Sequence, residues 1–367
     1  MLNFPNSPTL NQAFTAPDGS QWKWDSVKWL NVAGSGAYVP ASTGSGLNNV
    51  GRNTLQNALF NIQQRGAGPW TSTLYGPDRW VCAIQVTGGG SGSAQIGAMT
   101  AATAAAFNDE AAQYNIQFGI TAGTGAGDFI ILRQFMENVR RFAGKQMTLS
   151  FWAWCASGTP KVCVEFAQQF GTGGSPSANV NGIGMTPITI STTPTRYSVT
   201  FTMPSVAGKT FGTTAGTDLT EVNLWMSAGS TYSASRAGSI GFQSGTFLFW
   251  GIQLEIVQPG QTQPSPLEKV DPGEDLRRCQ RFYQSYLGSD NITFWAYGAT
   301  NWPIGYTTLL PVKMRASPTV GNLNFTSANN ISGQVVGPSA AQVTLNANIV
   351  ATGTGSFAVS FTLSADF

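Results

Sequence analysis

Four aromatic side chains in the last quarter of the chain, Trp295, Tyr297, Trp302 and Tyr306, stand among Gly298, Thr300, Asn301 and Gly305. Large rings beside amides and hydroxyls suit a sugar. Pyranose C–H faces are weakly apolar and stack on an amphipathic ring without requiring charge. The glycines and Asn301 read as loops, where binding residues concentrate. Packing at an axis between copies or at a domain junction would use the same residues, and both readings stay open. Trp152 and Trp154 alternate with Phe151 and Ala153 and so share one strand face, a second possible platform. Burial in a core against Trp225 or Trp250 competes with that role and weighs more, because most large aromatics are buried. Trp22, Trp24 and Trp29 read as anchors at an interface rather than ligand contacts.

Acid–base chemistry has little to work with. The 367 residues include no histidine, which removes Ser-His-Asp and Cys-His systems, HExxH zinc sites and histidine switches. Glycoside cleavage needs two carboxylates about 5 to 9.5 Å apart. Asp78, Asp128, Glu137, Glu165, Asp218 and Glu221, beside Glu255 and the Asp109-Glu110 pair, are the acids that could supply them, and their spacing singles out no site. Glu255 could join a calcium site, yet calcium takes about six to eight oxygens and few other acids are near. No other cofactor is expected. The glycine-rich stretch Phe170-Gly171-Thr172-Gly173-Gly174-Ser175 lacks the Gly-Lys-Ser/Thr that closes a phosphate loop. The expectation is a protein that is not an enzyme.

The elements that must position these residues follow from composition. Only 10% of residues are charged, 42% are apolar and 11% aromatic, and the net charge is +2. So near-neutral a chain offers no nucleic-acid groove and no polybasic membrane patch. Its longest apolar stretch, around Phe247 to Trp250, stops at Gln253, too short for membrane insertion. The 43 glycines and 19 prolines exclude a mainly helical protein, since each costs about 1 or 3 kcal/mol in a helix interior. All-β is the expectation. The start Met1-Leu2-Asn3-Phe4-Pro5 lacks a secretory pattern, and Cys82, Cys155, Cys163 and Cys279 form no CxxC. Synthesis in the cytosol with reduced thiols is expected. Cys155 and Cys163, placed about a turn at 158–160, could otherwise face each other across a hairpin.

Four parts separate along the chain. Residues 1–50 hold the tryptophan hairpin and, from Ser35 to Asn49, a small polar linker. Residues 51–268 carry strand candidates at Met147 to Cys155, Val162 to Gln169, Ile188 to Ser191, Arg196 to Met203, Glu221 to Ser227 and Gly245 to Ile256, a spacing that suggests a β-sandwich. Gly144 to Val164 reads as a hairpin turning at Ser157-Gly158-Thr159-Pro160. Residues 269–288 contain a helix start at Asp271-Pro272, and the mixed charges of Asp271, Glu274, Asp275, Arg277, Arg278 and Arg281 read as a solvated linker helix. Residues 289–367 form a β-rich end in which Asp366 is the only charge after Thr319. Val343, Leu345, Ala347 and Ile349, then Phe357, Val359, Phe361 and Leu363, alternate as strands with one apolar face. Such neutral strands suggest stacking against other copies, because an uncovered neutral edge aggregates.

Several short motifs in one order resemble a known family. Asn57-Ala58-Leu59-Phe60-Asn61-Ile62-Gln63-Gln64-Arg65-Gly66 followed by Pro77-Asp78-Arg79-Trp80 resembles the opening of tailed-phage fibre and other virion surface proteins. Leu149 to Trp154, Phe170 to Ser177, Ile252 to Glu255, Pro266 to Glu268, Cys279 to Tyr283 and Pro311 to Thr319 continue the series, so that it spans residues 53 to 320. The front piece with Gly19, Trp22, Trp24, Asp25 and Trp29 looks like a motif found where fibres or spikes join a particle. The resemblance implies a central jelly-roll carbohydrate-binding domain in a homotrimeric fibre on the virion surface. It implies an N-terminal segment, with Trp22, Trp24 and Trp29, on other virion proteins, and a body that meets host-surface glycan. An architectural collar or head decoration protein is the alternative. The repeats of a β-helical depolymerase are missing, which leaves receptor cleavage in doubt.

Overall fold

The computed structural model describes residues 5–10, 12–15, 21–24, 26–27, 29–31, 51–107, 109 and 112–367. The proposed linker from Ser35 to Asn49, and Gly19 and Asp25 of the tryptophan motif, lie outside the described residues. Met1–Gly51 with Ser265–Glu268 form one compact unit, and Arg52–Pro264 with Lys269–Phe367 the other. In the first unit, β1 (Ala13–Thr15), β2 (Gln21–Trp24) and β3 (Trp29–Asn31) form an antiparallel sheet with β2 in the middle, so a third strand joins the expected hairpin.

The chain is all-β. In the second unit, β4 (Leu74–Tyr75), β5 (Trp80–Gln85), β6 (Ser91–Ala98), the short helix α1 (Ala101–Ala106), β7 (Tyr114–Thr121), β8 (Phe129–Glu137), β9 (Gln146–Cys155), β10 (Lys161–Phe170), β11 (Val180–Thr189), β12 (Thr195–Thr202), β13 (Asp218–Ala228), α2 (Ser230–Ser233) and β14 (Gly245–Ile256) build a sandwich. Among the described residues one sheet runs β11-β10-β13-β8-β5-β4 and the other β12-β9-β14-β7-β6. The pairings are nested: β7 with β14, β8 with β13, β9 with β12, β10 with β11. Eight strands thus fold as one long antiparallel hairpin whose successive pairs fall in alternate sheets, which is the jelly roll.

Its core follows from strand alternation. Leu149, Phe151 and Ala153 of β9, Ile116, Phe118 and Ile120 of β7 and Phe247 and Phe249 of β14 point inward from one sheet. They meet Val162, Val164 and Phe166 of β10 and Val222, Leu224 and Met226 of β13 from the other. Burying each such side chain contributes about 1.5–3 kcal/mol.

The hairpin expected over residues 144–164 is not formed. Strand β9 pairs with β12 and β14, and β10 with β11 and β13, so the turn at 157–160 carries the chain from one sheet to the other. Cys155 therefore lies in the core between the sheets and Cys163 on the outer side of the second, and all four cysteines are free and buried.

The charged segment forms helix α3 (Pro272–Gln280). Asp271 caps it, accepting from the N–H groups of Gly273 at 3.0 Å and Glu274 at 3.1 Å, with Pro272 in the first turn. It is not a solvated linker. Buried Asp275 accepts from the Asn57 N–H at 3.0 Å, Cys279 is fully buried, and Arg281 bonds Glu137 of β8 at 2.7 Å. Beyond it come β15 (Tyr283–Tyr286), β16 (Ile292–Gly298), β17 (Pro303–Leu309), β18 (Thr319–Asn329), β19 (Ile331–Pro338), β20 (Gln342–Ile349) and β21 (Gly353–Ser364). Strand β21 takes β15 and β16 end to end along one edge and β18 along the other, while β17-β20-β19 form a second sheet. Val343, Leu345, Ala347, Phe357, Val359, Phe361 and Leu363 fill the space between, as their alternation requires.

Candidate functional site

The segment expected to be loops is mostly strand. Residues 292–298 are β16 and 303–309 are β17, leaving only 299–302 as a connection. Alternation along β16 sends Phe294 toward the core, where it packs on Phe357 at 5.6 Å, and sends Trp295 and Tyr297 outward. These two rings are 72% and 73% exposed, extreme values for side chains that gain so much from burial.

Their surroundings can be read from the register. Trp295 pairs with Ser356 of β21, which pairs on its other side with Asn329 of β18. Tyr297 pairs with Thr354, and Thr293 with Ala358, beyond which lies Thr326. Paired residues share a face. The outer face of this sheet therefore carries two large rings beside hydroxyl and amide groups, with no charge in these rows.

Tyr306 belongs to the other sheet, and Trp302 to the connection that leads into it. Trp302, 62% exposed, closes the turn by donating its N–H to the Ala299 carbonyl at 3.0 Å and accepting from the Ile349 N–H at 2.9 Å. A Cβ at Gly298 would lie 3.1 Å from Ile349 and 3.5 Å from Trp302, so this close approach explains the glycine. Tyr306, 42% exposed, stacks on Phe294 at 5.7 Å and is half committed to the core edge. The four rings form two surfaces, not one loop cluster.

Trp152 and Trp154 are on the outer face of β9, with Phe151 inside as their alternation requires. They do not join the sandwich core. Phe107 packs over them, 6.2 Å from Trp152, 5.4 Å from Trp154 and 4.9 Å from Trp250, and Trp152 meets Trp250 at 5.2 Å. The Arg196 guanidinium covers the Trp152 ring at 4.8 Å. Little ring face is left for a sugar. In the N-terminal sheet Trp24 pairs with Trp29 at 5.6 Å, Phe14 packs on Trp29 at 5.9 Å, and Trp22 pairs with Phe14.

Glu110 lies outside the described residues; the central acids that are described have partners. On the outer face of the six-stranded sheet, Glu165, Asn223, Arg133 and Val81 form one row across four strands. Segment 229–241 closes over it. From there Arg236 bonds Glu165 at 2.9 Å and Glu221 at 3.4 Å, and Tyr232 packs on Trp225 at 5.8 Å. Glu165, fully buried, also accepts from Asn223 at 2.7 Å, Trp225 at 3.2 Å and the Gly182 N–H at 2.9 Å. The two carboxylates are neighbours, but they sit beneath this lid. Glu255 holds Arg52 at 3.6 Å and accepts from Gln261 at 3.1 Å. Among the described residues no cluster of three or more His, Cys, Asp or Glu is placed to hold a metal.

The most distinctive sequence motif proves to be a joint. Asn57 bonds the carbonyls of Ile62 and Asp78, Gln64 bonds Asp78 and the Tyr283 carbonyl, and Trp80 bonds the Asn57 carbonyl. Burial pushes the Asp78 carboxyl up to about 6, against the pull of Arg65 and Gln64. Arg65 pairs with Asp366 and stacks on Tyr283 at 3.6 Å, while Arg79 stacks on Phe282 at 3.3 Å and bonds the Phe135 carbonyl at 2.6 Å. The Asn57–Trp80 motif and Cys279-Gln280-Arg281-Phe282-Tyr283 thus grip each other across the sandwich and the C-terminal sheets. Each motif stands out in the sequence by itself, and only the fold brings the two together. The signal was arginines in one facing aromatics in the other.

No family model matches the chain, and no curated protein does. Among solved structures, the chain is similar to a family 11 carbohydrate-binding module from Clostridium thermocellum, with 11% identity over 52% of this chain and 97% of that one and a TM-score of 0.29. It is similar to the CBM22-1 xylan-binding domain from Paenibacillus barcinonensis, with 9% identity over 56% and 95% and a TM-score of 0.30. It is also similar to the enzymatically active domain of bacteriophage CBA120 tailspike protein 4, with 11% identity over 56% of this chain but only 21% of that one and a TM-score of 0.29.

Proposed function

We propose that this chain is the subunit of a homotrimeric virion fibre that adsorbs to host-surface polysaccharide without cleaving it. The observation that carries the reading is the uncharged outer face of the β16-β21-β18 sheet, on which Trp295 and Tyr297 stand 72% and 73% exposed among Ser356, Thr354 and Asn329. Trp302 adds a further exposed ring in the turn between β16 and β17. Rings of this kind stack on sugar faces while the hydroxyls and amide bond sugar hydroxyls, so neither metal nor cofactor is needed. Trp22, Trp24 and Trp29 would serve as the anchor on other virion proteins, and synthesis in the host cytoplasm agrees with four free cysteines. Single contacts would be weak, and three copies per fibre raise apparent affinity by about two to four orders of magnitude.

The same exposure supports a second reading, in which neighbouring copies cover these rings and the protein is architectural, a collar or head decoration component. One experiment separates them. Purified protein of established oligomeric state is tested for saturable binding to host cells and extracted surface polysaccharide. Trp295→Ala and Trp302→Ala should each weaken adsorption about threefold to tenfold at unchanged trimer melting. Lowered trimer melting with no glycan bound by wild type would establish the architectural role.

A further inference from the structure

We infer that the joint between the sandwich and the C-terminal sheets holds a second sugar site, a groove that takes a short neutral oligosaccharide. The groove is shallow and open to solvent, with a volume of about 530 Å³, within the range of small-molecule sites. Leu74 and Leu287, 51% and 38% exposed, stand on its sandwich and C-terminal sides, and the edges of Trp70, Tyr75 and Tyr283 line its floor, with Trp70 and Tyr283 buried and the Arg65 guanidinium over both tyrosine rings. Exposed leucines and ring edges can meet the C–H groups of a sugar, and polar tips its hydroxyls.

The lining is set in place before any ligand arrives. Arg65 is its only charged residue among the described ones, and that charge is spent on Asp366 with the guanidinium stacked on Tyr283 at 3.6 Å. A groove whose single cation is already paired favours a neutral sugar over an acidic one. Trp70 is fixed by two backbone bonds to Ala94, each 2.8 Å. The Tyr75 hydroxyl accepts from the Phe367 N–H at 3.3 Å, which leaves its own hydrogen to donate. Across the groove, a register shift in β18 between Gly321 and Asn324 lifts Asn322 out of the ladder, at φ +48°. A bulge of this kind re-aims a side chain. Rigid walls lose little freedom on binding, which preserves affinity.

The inference extends the adhesive reading to a second place and does not depend on the Trp295 face. The full chain is applied to an array of neutral bacterial-surface oligosaccharides. The array is repeated with Leu287→Trp, which fills the groove from an exposed position, with Asn322→Gly, which removes the amide at a φ that glycine accepts, and with the double variant Trp295→Ala/Tyr297→Ala. We expect a set of spots to weaken at least tenfold in both groove variants and to persist in the double variant. Loss confined to the double variant, or no spot bound by wild type, overturns the groove site. Loss confined to the groove variants sustains it and removes the Trp295 face instead. Melting temperatures accompany each variant. Should Leu287→Trp fail to fold, Asn322→Gly decides alone.

Discussion

The sandwich and the C-terminal sheets treat their aromatics in opposite ways. On the outer face of β9, Trp152 and Trp154 are roofed by Phe107 and Arg196. On the outer face of β16, Trp295 and Tyr297 have strand neighbours beside them and, among the described residues, stay 72% and 73% exposed. The charges divide likewise. The sandwich buries Glu165 and Glu221 beneath a lid that supplies their partner Arg236, whereas the strands β16 to β21 contain no charged residue. Identical residue types a strand apart in sequence logic therefore differ in use: a covered ring stabilises the fold, and an uncovered ring is available to something outside the chain.

The comparison breaks first at the lid. Glu165→Ala should cost about 3–5 kcal/mol in urea unfolding, because it strands Arg236 and orphans the Asn223 and Trp225 donors. A loss below about 1 kcal/mol would mean that segment 229–241 is held by its apolar contacts and that the outer face opens readily.

Next comes the joint. Burial raises the Asp78 carboxyl to about 6 in the folded chain. The folded state then binds the proton more tightly than the unfolded state does. Asp78 thus contributes stability that is full below about pH 4 and lost as pH rises through about 6, roughly 3 kcal/mol in all. Asp78→Asn should flatten that part of the stability profile, measured by denaturant midpoints between pH 4 and 7. A profile unchanged by the substitution would place the titration elsewhere.

The smallest effect falls on the exposed rings. Trp295→Ala and Tyr297→Ala should shift the stability of the isolated chain by no more than about 0.5 kcal/mol. A cost of about 2 kcal/mol or more in the assembled protein but not in the isolated chain would show that a neighbouring copy covers them.

What could be read from the sequence was local. Gly245 to Ile256 was delimited to the residue and Met147 to Cys155 within one, because alternation and turn residues bound them. The capping of α3 by Asp271 was equally plain. Partnership was not. Strands β9 and β10 are buried on both faces, so nothing in their pattern distinguishes pairing with each other from pairing across separate sheets. Strands β7 and β8, both central, went unread. Phe107 follows a featureless run of alanines, and only the fold brings it over Trp152. Gly298, Asn301 and Gly305 made a strand pair look like loops, although Gly305 lies within β17 against Asn346. The exposure of Trp295 and Tyr297 needed a known inside and outside, which alternation alone does not supply.

Nested pairing also orders events in time. The innermost pair, β10 with β11, is complete as soon as Thr189 leaves the ribosome, whereas β7 must wait for β14. At about 5–20 residues per second, the roughly 125 residues between them take on the order of ten seconds. Throughout that interval β7 has only β6 beside it, and β8 has only β5 until β13 is made. The nascent chain must keep Ile116, Phe118, Ile130 and Leu132 from foreign contacts until the last strand of the roll is made.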